Sequence, residues 1–83
     1  MTDLRRTDPR SGATFILSPE GLTMLRADGG RIFLPAPPGY SLSHFAEGIT
    51  VVARGEAPHE GWWDWHFEPD PEAGHLRRLG PAY

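Results

Sequence analysis

The segments ITVVAR (residues 49–54) and WWDWHF (residues 62–67), joined by GEAPHEG, decide the fold. The first is rich in β-branched residues and the second in aromatics, the side chains that suit a pleated, half-buried surface. Setting Arg54 opposite Trp62 in an antiparallel pair puts Ile49 against Phe67, Val51 against Trp65 and Ala53 against Trp63. On that face small residues oppose large ones, as a packed face requires. The other face pairs Thr50 with His66, Val52 with Asp64 and Arg54 with Trp62, and it is polar. A slip of one residue would turn Trp62, Asp64 and His66 inward, so both faces support the same parity. The expectation is a hairpin with Trp63 and Trp65 in the core. Trp62 then lies outward, its ring against Arg54.

Upstream, ATFIL (13–17), LTMLRA (22–27) and RIFLP (31–35) read as three short strands. Ser18-Pro19-Glu20-Gly21 suits a type I turn, and Asp28-Gly29 is a strong hairpin dipeptide. Pairing Leu17 with Leu22 sets Phe15 opposite Met24. A two-residue second turn then sets Met24 opposite Phe33. In this register both faces of the meander are substantially apolar, which predicts a cover over each, from this chain or another. PAPPGY (35–40) is a proline-rich bend. SLSHFAE (41–47) is expected to form one helical turn, with Phe45 inward and Ser41, Ser43 and His44 as helix-start and surface residues. PDPEAG (69–74) reads as irregular and His75–Leu79 as a last short strand.

These pieces predict an all-β domain over residues 13–79, between a mobile arm (1–12) and a short tail (80–83). The fold class is a small open barrel of SH3-like type or a two-layer β-sandwich. It is built from a three-stranded meander plus a Trp-rich hairpin, with at most one short helical turn. Ten Gly and nine Pro among 83 residues interrupt the chain too often for long helices. A chain of this size buries roughly 60% of its unfolded surface, so the core is thin and an enclosed active site is not expected.

Composition narrows the function classes. There is no Cys, hence no disulfide, thiolate metal site or Cys nucleophile. Lys, Asn and Gln are also absent and all eight cations are Arg, a bias that fits a GC-rich bacterial or phage genome. No apolar run reaches the roughly 18 residues of a membrane-spanning helix, and no signal-peptide core appears. A cytoplasmic location is therefore expected. The formal net charge is −3, but residues 55–74 carry Glu56, Glu60, Asp64, Glu68, Asp70 and Glu72 with no cation. Phosphate binding needs a basic footprint, so this distribution argues against nucleic acid as the direct ligand.

The sequence contains no HExxH, EF-hand loop, GxSxG elbow or phosphate-cradling glycine loop. Asp64 and His66 share a strand face but stand roughly 7 Å apart, too far for one to orient the other directly. Neither a metal nor another cofactor is expected, nor catalysis. The reading that remains is a small binding module, accessory or regulatory, which takes a protein partner or a second copy of itself. Its candidate contact residues are Trp62, Arg54, Asp64, His66, Glu56 and Glu60, since Trp and Arg are enriched at interface hot spots. A second reading is a phage- or mobile-element-encoded inhibitor presenting the acidic 56–72 segment to a basic, nucleic-acid-handling protein. A third is a carbohydrate-binding module using Trp62 and Asp64.

Overall fold

The computed structural model describes residues 4–82, which form eight strands and no helix among them. Strands β1 (Leu4–Thr7), β2 (Thr14–Ser18), β3 (Gly21–Leu25) and β4 (Arg31–Pro35) make one antiparallel sheet in that order. Strands β5 (Tyr40–Phe45), β6 (Val51–His59), β7 (Trp62–Asp70) and β8 (His75–Pro81) make the second, also in chain order. No described strand belongs to both sheets, so the fold is a two-layer sandwich and not a closed barrel.

The core lies between the layers. The first sheet contributes Phe15, Leu17, Leu22 and Leu34; the second contributes Leu42, Phe45, Val51, Ala53, Trp65, Phe67 and Leu76. No polar or charged side chain is buried among the described residues. Each sheet thus turns an apolar face inward, as period-2 alternation demands.

Four expectations about the elements are corrected. Residues 4–7 do not form a free arm but pair with β2, Leu4 opposite Leu17 and Arg6 opposite Phe15. The Arg6 guanidinium donates to the carbonyls of Ala46 (3.0 Å) and Gly48 (2.7 Å) and lies over the Phe45 ring, tying β1 to the second sheet. The segment expected to make a helical turn is strand β5, with Ser41, Ser43 and His44 on it. Residues 69 and 70 continue β7 where irregular chain was expected. Finally, the described residues of this chain do not close over the outer face of the meander: Phe33 is 53% exposed there.

The first hairpin keeps its expected register, Leu17 opposite Leu22 and Phe15 opposite Met24. The second turn takes five residues, Arg26–Gly30, closed by a bond from the Arg26 amide to the Gly30 carbonyl. Met24 therefore faces Ile32, and Phe33 faces Thr23 on the outer side. The one-residue difference moves Phe33 from core to surface, as period 2 requires.

Candidate functional site

The β6–β7 hairpin is longer than anything in the first sheet, nine residues on each side against five or fewer. Its strands run up to a two-residue turn, Glu60-Gly61, both with positive φ (51° and 85°), the signature of a type I′ hairpin turn. The loop expected over 55–61 is thus mostly strand. Four residues, 55–58, lie opposite the single residue Trp63, so β6 bulges there. Upstream of the bulge Arg54 faces Asp64, Ala53 faces Trp65 and Val51 faces Phe67. The parity of the sequence reading is retained, but the pairing is displaced by two residues. Trp65 and Phe67 are inward, while Arg54, Asp64 and His66 are outward.

The tryptophans divide accordingly. Trp65 is 5% exposed, with its indole N–H donating to the Trp62 carbonyl at 3.1 Å. Trp62 is 40% exposed and Trp63 44% exposed. Placing Trp63 in the core is corrected: the β6 bulge gives it no opposing partner of the regular ladder, and it stands at the free end of the hairpin. Pairing Arg54 with Trp62 is corrected too. Arg54 pairs with Asp64, their side chains 3.7 Å apart and 65% and 37% exposed, and its guanidinium lies 5.6 Å from the Trp63 ring centroid.

The hairpin end therefore gathers Trp62, Trp63, Arg54 and Asp64, with Glu60 on the turn. The Glu60 carboxylate is 3.3 Å from His59 Nε2, and the His59 ring packs edge-on against Trp65. Glu56 is exposed on the bulge, where its amide donates to the Gly39 carbonyl. It borders an open depression of about 650 Å³, shared with Tyr40, Ser41, Ser43 and Arg54. His66 shares the outer face but looks elsewhere, into a second depression with Thr50, Glu47 and Leu79. Of the six candidate residues, five are thus near one end of the molecule and His66 is not.

Trp63 and His59 were not legible as site residues. Gly55 and Pro58 carry the signal that would have found them, because Gly and Pro inside a strand mark a bulge. A second bulge, in β5, turns Ser43 and His44 toward the same residue of β6, and Ser43 Oγ meets His44 Nδ1 at 2.9 Å. This is a local bond between consecutive exposed residues. No described residue holds the other ring nitrogen, as an orienting third group would. Among the described residues no three His, Asp or Glu side chains converge as a metal site, and no helix is long and apolar enough to cross a membrane.

No family model matches the chain, and neither a characterised protein nor a solved structure matches it.

Proposed function

We propose that this chain is a non-catalytic, cytoplasmic binding module, accessory or regulatory, which docks on a protein partner through the end of its β6–β7 hairpin. The observation that carries the reading is the pair of adjacent, partly exposed indoles, Trp62 and Trp63, at a hairpin end with Arg54 over one of them. Aromatic side chains and Arg supply large contact areas at protein interfaces, and few residues carry most of such binding. The left-handed backbone at Glu60 adds support, since strained non-Gly positions concentrate at functional sites.

Glu56 and Glu60 on the same end favour a second reading, an inhibitor of a basic, nucleic-acid-handling protein. The two differ in their response to salt. A partner held by the indoles keeps its affinity as salt rises, whereas one held by the carboxylates loses it steeply.

The test is capture from the native host with wild type and the double variant Trp62→Ala, Trp63→Ala in parallel, with sedimentation of both. The reading requires a specific partner, or a dimer, that the folded double variant loses by more than about 2 kcal/mol. Equal capture by both proteins moves the interface off the hairpin end. Loss on Glu56→Gln, Glu60→Gln alone, with the indoles intact, favours the acidic inhibitor.

A further inference from the structure

Arg78, like Arg6 opposite Phe15, has a register that points it toward the inner face of its sheet. It stands opposite Phe67, a position where an aliphatic residue would extend the core. Its guanidinium carbon lies 4.8 Å from the Trp65 ring centroid, 5.5 Å from Tyr40 and 5.7 Å from Phe67. One of its N–H groups donates to the Tyr40 hydroxyl at 3.0 Å.

The Tyr40 wall of the cage packs close over a glycine. Tyr40 is on β5 and Arg78 on β8, the two edges of the second sheet. Gly55 of β6 lies between them, and a methyl group there would sit 3.2 Å from the Tyr40 ring and 3.0 Å from the Ala57 carbonyl. Without a side chain at 55, the Tyr40 ring crosses β6 and meets Phe67 edge-on at 5.4 Å. Three rings then surround one guanidinium, and Arg78 is itself solvent-exposed, so the mouth of the cage is open. Aromatic rings arranged this way are what recognises an organic cation. The phenol oxygen adds an acceptor, which a guanidinium can use and a quaternary ammonium cannot.

We propose that Tyr40, Trp65 and Phe67 form a guanidinium-binding cage, that Arg78 is its intramolecular occupant, and that an arginine side chain brought by a partner competes with Arg78 for it. This inference rests on other rings than Trp62 and Trp63 and stands or falls separately.

The probe is N-acetylargininamide, with the neutral isostere N-acetylcitrullinamide as control. In the wild-type chain, NMR of the Arg78 side chain should show resonances displaced by the surrounding rings. Addition of the arginine probe should return them saturably toward free values, while the citrulline control leaves them in place. An Arg78 signal that never moves, or moves equally with citrulline, overturns the proposal. In a chain with Trp62→Phe and Trp63→Phe, Trp65 is the only indole and reports on the cage by fluorescence. There Arg78→Ala should bind the arginine probe at least about tenfold more tightly than the same chain with Arg78, because a tethered occupant competes at an effective concentration of roughly millimolar or more. Equal affinity in the two chains, or no saturable change in a folded Arg78→Ala variant, overturns it as well. If Arg78→Ala does not fold, the wild-type NMR titration decides alone. Gly55→Ala, which displaces the Tyr40 wall, should weaken the probe in either chain.

Discussion

Trp65 is the largest buried side chain, held by Ala53 across the ladder, by His59 on one side and by Arg78 on another. Trp65→Ala should cost about 3–5 kcal/mol, close to the entire stability of a small domain. A urea melt checks this, and a midpoint near that of wild type would remove Trp65 from the core. Trp62→Ala and Trp63→Ala should each cost about 1 kcal/mol or less, because both rings keep solvent contact and an exposed cation–π pair such as Arg54 on Trp63 adds only about 0.5–1 kcal/mol. At Glu60 the left-handed backbone itself costs about 1 kcal/mol. Glu60→Asn makes the Asn-Gly pair that a type I′ turn prefers, and it should raise the melting temperature. Gly21 shows the opposite constraint. A methyl group there would stand 2.6 Å from both the Leu34 carbonyl oxygen and Phe33 Cζ. The ring can swing aside but the carbonyl cannot, so Gly21→Ala should destabilise by about 1–3 kcal/mol.

Strand β1 is four exposed residues held by its ladder with β2 and by the Arg6 bonds to Ala46 and Gly48. Arg6→Ala should release it locally: hydrogen exchange should speed up at the β1 and β2 amides while the global melt falls little. A uniform rise in exchange across both sheets would make β1 part of the cooperative core instead. What the residues disclosed at this scale depended on turns and bulges. The β2–β3 register was legible because Pro19-Glu20 leaves little choice of turn. The β3–β4 register was not, because Asp28-Gly29 suggests a two-residue turn while the chain uses five. Strand β5 was hidden by its bulge: Leu42 and Phe45 are three apart, a helical spacing, yet the extra residue at Ser43 turns both inward. Likewise the face of Trp65, Arg54 and Asp64 followed from alternation, which a shift of two residues preserves. Trp63 escapes the alternation argument because the β6 bulge removes the residue that would oppose it. The cage was out of reach, since nothing local connects Tyr40 to Arg78.

Across the whole molecule, the four outermost strands all carry features that discourage pairing with another chain. Strand β1 is short and holds Arg5 and Arg6, β4 ends in Pro35, β5 bulges at Ser43, and β8 bulges just before Pro81. The proposed docking accordingly uses a hairpin end and not an edge strand. The cross-strand ion pairs, Arg54 with Asp64 and Arg77 with Glu68, lie at the surface and contribute a few tenths of a kcal/mol each. Raising salt from about 0.05 to about 0.5 M should therefore move the melting temperature by no more than a few degrees. A large fall would reveal a charge network that these pairs do not form. The strict chain order of the two sheets reaches further, to the ribosome. Residues 4–35 contain every strand of the first sheet, and its partner layer is not finished until Pro81 has been made. At about 5–20 residues per second, that gap lasts roughly 2–9 s. Until the second layer exists, Phe15, Leu17, Leu22 and Leu34 have no opposing face to pack against, so the first sheet cannot complete its core ahead of the last strands.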